Sequence, residues 1–459
     1  MLYDRLNKLE DDDEPIRVGI IGAGTFGTQI IARICHMNGM RIACAADLVV
    51  DRAAAALQLG GISKERITNC GTSSSINDAI RRREFAVTED PAALIESNID
   101  VVVEATGNAE AGAKHGFNAI AAKKHVVMVT IEADVVVGAT LKQLADRAGV
   151  IYSLAYGDEP ALAVELYEWA RTLGFRVIAA GKGTRFIPEF RKATPDDVPR
   201  LYGFTGEDYN AHVFCSFLDG TKHAIESVTL SNATGLTVDV RGLHFPALDL
   251  REMPEQLCLK SKGGILNGEG VVEAVSSLRP DKTSVERNLR GGVFAVIDAP
   301  DRQAIESMAS YGEIIGMMIG ETSGQAMIYR PQHFVGHEMP IDIARMMLSG
   351  ESIGAPIGQV SEVVAAAKKR LTPGTILDGE GGFTVCGLAE RAAIAQHQKL
   401  VPIGLTQGAE VLEEISEDGL VTYENVRLKP SLAMDLKHQQ DSEIASAITL
   451  GRSRTENTS

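Results

Sequence analysis

Short apolar runs alternate with stretches of helical periodicity through the first third of the chain. The run from Ile16 to Ile21 leads into Gly22, Gly24 and Gly27, spaced G-x-G-x-x-G, and an apolar helical segment follows from Thr28 to His36. Arg41–Asp47 reads as the next strand. Asp100–Gly107 holds an unbroken Val101-Val102-Val103 run, as a strand buried on both faces of a parallel sheet requires. His125–Thr130 and Val150–Ala155 continue the series, with helices expected over Ala109–Lys123 and Val135–Ala148. Strand and helix in alternation predict an α/β fold, a Rossmann-type doubly wound parallel sheet. Residues 60–98 break the rhythm and read as an insertion, with one helix from Thr72 to Arg83 and another opening at Asp90-Pro91.

The pattern loosens further on. A helix over Ala161–Thr172 and a strand over Phe175–Ala180 precede the polar stretch Thr194–Asp208, read as a long loop able to act as a lid. A helix over Thr221–Asn232, strands over Gly292–Ala299 and Gln325–Tyr329, and a helix over Arg302–Tyr311 predict a mixed α+β layer. His333 and His337 are four apart, but Pro331 and Gly336 argue against a regular helix there. Past residue 350, Leu371–Leu377, Leu400–Leu405 and Gly419–Val426 read as short strands of a small β-clip. The expected division is a dinucleotide-binding domain at 1–155, a catalytic and dimerisation domain at 156–350, and a β-rich domain at 351–459 ending in the polar tail Gly451–Ser459.

Composition narrows the class. With 459 residues and 45% hydrophobic positions, the chain has enough material for two or three cores. A formal net charge of −16 argues against a nucleic-acid partner. Six cysteines without a C-x-x-C pair read as reduced thiols of a cytoplasmic protein, and no apolar run is long enough for a membrane span.

The candidate chemistry lies at strand ends. A glycine turn between strand and helix offers backbone N–H groups to a dinucleotide pyrophosphate, which makes Gly22, Gly24, Thr25, Phe26 and Gly27 cofactor-binding candidates. Asp47, 20 residues past Gly27, reads as the ribose ligand of NAD, while Arg52 suits the 2′-phosphate of NADP, so the choice stays open at this point. Thr106, Gly107 and Glu132 fall at later strand ends on the cofactor side. Asp158 and Glu159 are adjacent carboxylates, suited to a hard cation such as Mg²⁺ or Mn²⁺ or to acid chemistry, and equally to a helix start. Lys182 between two glycines, Arg185 and Lys262 are candidate catalytic and anion-binding cations.

These residues carry a resemblance. The glycine motif, Val-Val-Val-Glu-Ala-Thr-Gly and the order of elements resemble the cofactor domain of homoserine dehydrogenases. Leu-Thr-Pro-Gly-Thr-Ile-Leu and Gly-Leu-Val-Thr-Tyr-Glu-Asn-Val look like an SAF module. The combination resembles the 1-deoxy-D-xylulose 5-phosphate reductoisomerase-like proteins. That resemblance implies NADPH-dependent reduction and isomerisation of a small keto-sugar phosphate to 2-C-methyl-D-erythritol 4-phosphate, for isoprenoid precursors, by a homo-oligomer. Thr130-Ile131-Glu132 stands where homoserine dehydrogenases carry an Asn-Lys pair, and Asp158-Glu159 lacks the middle residue of the reductoisomerase D-S-E metal motif. The alternatives are a homoserine-type or sugar-acid dehydrogenase without isomerisation, and a non-catalytic NAD(P)-binding sensor.

Overall fold

A computed structural model describes residues 1–203, 209–299 and 301–442. The polar tail Gly451–Ser459 and the end of the expected lid, 204–208, lie outside the described residues. The chain forms two compact units. One is Met1–Ala161 with Phe334–Ala355; the other is Leu162–His333 with the chain from Pro356 onward.

In the first unit seven strands make one sheet: β1 (Ile16–Ile21), β2 (Met40–Ala46), β3 (Ile67–Asn69), β4 (Phe85–Thr88), β5 (Val101–Glu104), β6 (His125–Met128) and β7 (Tyr152–Leu154). Their order is β3-β4-β2-β1-β5-β6-β7, and every pairing is parallel. This is the doubly wound α/β fold that the alternation predicts, with the direction of winding reversing beside β1. The stretch 60–98 is more than an insertion between strands. It supplies β3 and β4 and extends the sheet beyond β2, but runs of three and four residues are too short for periodicity to reveal. The helix after the glycine turn begins at Thr25 rather than Thr28, because Gly24 already serves as its N-cap.

The core joins Val18 and Ile20 of the sheet to Ile30, Ile31, Ile34 and Leu57, and receives Val335, Ile343 and Met346 from the returning segment. That segment holds the short helix Val335–Glu338, which takes in His337 but leaves His333 outside, followed by Pro340–Ser349. Gly336 is the residue that fits: a Cβ there would crowd the side chain of Gln29.

In the second unit, β8 (Arg176–Thr184), β9 (Thr237–Val238), β10 (Val271–Ser276), β11 (Val293–Asp298), β12 (Met318–Ile319) and β13 (Ala326–Arg330) form a mixed sheet in the order β12-β13-β11-β8-β10-β9. Here β8 runs parallel to β10 and antiparallel to β11. The helix Thr221–Thr234 packs against this sheet and against the antiparallel pair β14 (Ser361–Ala367) and β15 (Val385–Arg391). It is therefore buried on nearly every side, and its polar residues His223, Glu226, Thr229, Ser231 and Asn232 are all inside. A small pair, β16 (Glu410–Val411) and β17 (Val426–Arg427), follows. The described part of the expected lid is ordered into the turn Pro195–Asp197 and the helix Val198–Tyr202. Among the described residues no helix is long and apolar enough to cross a membrane.

Candidate active site

The glycine turn is built for close backbone approach. Gly22 has φ +102°, and a Cβ there would press on the Ala105 carbonyl at the end of β5. A Cβ at Gly27 would overlap the Gly22 carbonyl oxygen. Gly24 differs, since a Cβ would meet nothing within 4 Å. Gly22 and Gly27 therefore serve packing, while Gly24 between them faces open space at the helix N-terminus, where an anion gains from the helix dipole. Thr25 and Phe26 form the exposed first turn, with Phe26 46% exposed. Asp47 accepts the Ala23 N–H at 2.8 Å through Oδ2 and the Val49 N–H at 2.9 Å through Oδ1. Its carboxylate thus braces the turn itself. Arg52 lies exposed in the first turn of the helix Val50–Leu59.

Polar side chains link the carboxyl ends of β5 and β6, and tie the helix that follows β6 to the start of β7. Thr106 donates its hydroxyl to Glu104 Oε1 at 2.7 Å, and His115 Nδ1 lies 3.1 Å from the same oxygen. Gly107 donates its N–H to Thr130 Oγ1 at 2.9 Å. Glu132 is buried in the first turn of the helix Ile131–Ala148. On the same helix Asp134 accepts from the Tyr152 hydroxyl at 2.7 Å, and burial pushes its carboxyl up to about 7. At the end of β7, Gly157 turns the chain with φ +89° beneath Glu338 and Phe334. Asp158 is then half-buried and Glu159 is 7% exposed, with the Glu159 N–H donating to Asp158 Oδ1 at 3.1 Å.

In the second unit Lys182 is buried near the carboxyl end of β8 and forms an ion pair with Glu226 of the helix Thr221–Thr234. His223, one helical turn before Glu226, places Nδ1 3.7 Å from the same carboxylate oxygen. Thr184 Oγ1 lies 2.5 Å from Nε2 of the same ring and 3.2 Å from its Nδ1. Phe186, Phe217 and Phe245 surround the imidazole. Burial alone would raise the Glu226 carboxyl, but Lys182 and His223 outweigh it and hold the group down at about 2. A lysine ion-paired in this way, beside an apolar wall, can donate a hydrogen bond to an oxygen on which negative charge develops.

The glycines beside Lys182 have a plainer purpose than ligand approach. A Cβ on Gly181 would overlap the Glu273 carbonyl, and one on Gly183 would overlap that of Leu289. Arg185 is half-buried, donating to the Leu201 carbonyl at 3.2 Å. Lys262 does not join this group. It lies 3.9 Å from Glu269, which is bonded to Arg176 at the opposite end of β8 from Lys182 and Thr184. The sequence reading missed Thr184, His223 and Glu226. The available signal was an H-x-x-E pair on a helix whose composition leaves no polar outer face.

Residues 157–339 match the family model for Oxidoreductase DRL, catalytic domain. The expectation of an oxidoreductase enzyme is met in this match, which contains Lys182, Thr184, His223 and Glu226. No curated protein matches the chain. Among solved structures, scyllo-inositol dehydrogenase from Lactobacillus casei with bound NAD(H) and scyllo-inositol is 14% identical, with 74% of this chain and 92% of that one covered and a TM-score of 0.38. A probable dehydrogenase from Thermotoga maritima is 16% identical, with 73% and 90% covered and a TM-score of 0.37. Likeness at this level says nothing of substrate.

Proposed function

We propose that the chain is an NADPH-dependent oxidoreductase that reductively isomerises 1-deoxy-D-xylulose 5-phosphate to 2-C-methyl-D-erythritol 4-phosphate, working as a cytoplasmic homo-oligomer. The observation that carries the oxidoreductase part is the buried Lys182–Glu226 pair, with His223 and Thr184, inside the stretch that matches an oxidoreductase catalytic domain. The specific substrate rests on the resemblance of the motifs.

In this reading the first unit holds the dinucleotide. The turn Gly22–Gly27 with Thr25 and Phe26 takes the pyrophosphate, while Thr106, Gly107 and Glu132 neighbour the nicotinamide end. Asp47 spends hydrogen-bonding capacity on two backbone N–H groups, and Arg52 stands exposed close by, which favours the 2′-phosphate of NADPH. The skeletal rearrangement leaves the oxidation state unchanged. The aldehyde it produces then gains a hydride at carbon and a proton at oxygen. Lys182 donates to that oxygen, Glu226 holds the lysine in place through the ion pair, and Thr184 orients His223. Asp158 and Glu159 of the first unit offer carboxylate oxygens of the kind that Mg²⁺ or Mn²⁺ takes, and such a cation would supply Lewis-acid polarisation of a carbonyl. Arg185 is the nearest cation in sequence to Lys182 for the phosphate group. The position of Lys262 at the other end of β8 gives some ground to a second reading, a dehydrogenase that reduces an unphosphorylated sugar or aldehyde without rearrangement.

The test is NADPH oxidation with the keto-sugar phosphate, with and without Mn²⁺, and identification of the product by mass and chromatography. The expected outcome is a branched tetrol phosphate. Oxidation only with unphosphorylated carbonyls would favour the second reading. Arg52→Ala should weaken NADPH by about tenfold or more while leaving NADH unchanged, as loss of one charge-assisted phosphate contact requires. Equal loss for both would move Arg52 out of the cofactor site.

A further inference from the structure

The C-terminal part of the second unit contains a groove of about 480 Å³ that the reaction above does not use. Its walls come from the start of β14, the helix Ala392–His397, Leu400, Tyr423 and the helical stretch 432–442. Val360, Ala392 and Leu400 make an apolar side. Opposite them lies a buried ion cluster. Lys437 Nζ sits 2.9 Å from Glu362 Oε2 and 2.5 Å from Asp441 Oδ1, and both Lys437 and Glu362 are at most 5% exposed. The second oxygen of Glu362, Oε1, has no hydrogen-bond partner among the described residues, and neither has the Tyr423 hydroxyl.

Two orphaned polar atoms in one groove are a standing cost, because each gave up water on burial and received nothing in return. The charge count gives the sign of what would repay them. Glu362 and Asp441 face the single cation Lys437, which leaves one negative charge in excess. At the rim Lys399 is matched by Glu424 at 2.7 Å, and the His438 ring lies 6.2 Å from that of Tyr423. An anionic ligand finds Lys437 already engaged by two carboxylates. A neutral hydroxyl leaves the excess charge uncompensated. An ammonium group neutralises it and has enough donors for both orphaned oxygens.

We propose that this groove is a binding site for a small molecule bearing a protonated primary amine, with its ammonium at Glu362 Oε1 and the Tyr423 hydroxyl and its hydrocarbon stem along Val360, Ala392 and Leu400. The volume suits a compact ligand. Burial pushes the Glu362 carboxyl up to about 7 against the pull of Lys437, with Asp441 adding to the rise. Tyr423, His438 and Lys399 are the other ionisable groups on the walls. An ammonium ligand binds the ionised carboxylate, so its affinity increases as the pH rises through about 7.

The experiment is isothermal titration of the full chain with n-butylamine, and with n-butanol and butyrate as matched neutral and anionic probes, at about pH 8. Butylamine is expected to bind at least about tenfold more tightly than butanol, and butyrate not at all. Glu362→Gln should weaken butylamine by about tenfold and Tyr423→Phe by a smaller factor. Ala392→Phe, which fills the groove without touching the ion cluster, should abolish binding while thermal unfolding stays as in the parent chain. The proposal is overturned by absence of butylamine binding, by butanol or butyrate binding as tightly, or by amine binding that survives Ala392→Phe. If Glu362→Gln fails to fold, Tyr423→Phe and Ala392→Phe still decide. No outcome here bears on the proposed redox reaction, whose residues lie elsewhere.

Discussion

Two buried lysine–carboxylate pairs in the second unit have the same ingredients and opposite electrostatics. Lys368 places its ammonium 2.6 Å from Asp219 Oδ2, 2.6 Å from the Ala193 carbonyl and 2.7 Å from the Gly382 carbonyl. The ammonium donates to these two backbone carbonyls and to Cys215 Sγ at 3.6 Å, with Asp219 as its counter-ion, so the lysine staples chain segments far apart in sequence. Around it burial pushes the Asp219 carboxyl up and the thiols of Cys215 and Cys386 up to about 12. Lys182 instead meets Glu226, and Glu226 also faces His223. Here the carboxyl is held down at about 2, because Lys182 and the hydrogen bond with His223 outweigh the same burial. A buried ion pair is therefore weak ground for assigning chemistry. What distinguishes the two is that backbone carbonyls help to fix Lys368, whereas the carboxylate that meets Lys182 also faces a second titrating side chain, His223, and so belongs to a proton-handling set.

That contrast can be broken most directly at the lysines. Lys182→Ala should lower turnover by about 10²–10³-fold, the scale for losing a donor to a developing oxyanion. The check is steady-state NADPH oxidation normalised to folded protein. Lys368→Ala should instead leave Asp219 buried without its cation and cost about 3–5 kcal/mol in urea unfolding, with turnover per folded molecule nearly unchanged. If both variants lose activity alike, the distinction fails. Thr184→Val removes the hydroxyl 2.5 Å from His223 Nε2. Turnover should fall about tenfold and the pH–rate profile should shift, a response that simple loosening of the helix would not produce.

The smallest effect concerns acid stability. Glu226 has a folded value of about 2, below the ordinary carboxyl range, so the folded state binds this proton less readily than the unfolded chain. Its contribution is full above the ordinary carboxyl value and is lost as the pH falls toward about 2. The stability difference between the parent chain and Glu226→Gln should therefore be flat above about pH 5 and shrink on further acidification. A difference that grows on acidification would contradict the depressed carboxyl.

The first unit was the more legible one, for a physical reason. A parallel sheet buried on both faces needs continuous apolar strands such as Val101–Glu104, and a dinucleotide turn needs glycines at fixed spacing, so both are written locally. The segments β3 and β4 escaped because three or four residues carry no usable period. The return of Phe334–Ala355 to the first unit depends on contacts across more than half the chain. The second unit's site joins β8 to a helix some 40 residues later, with Lys182 and Glu226 44 positions apart.

The sequence by itself determined the alternation of strands and helices, the glycine turn, and the candidacy of Lys182 as a cation between two glycines. Tertiary structure decided which cations count. It placed Lys182 against Glu226 and His223, set Lys262 at the far end of the same strand, and used Gly181 and Gly183 to let neighbouring backbone pass. Spacing along a chain fixes which residues share a strand or a helical face. The partner that decides a buried charge's protonation comes from another element, and only the packed fold chooses it.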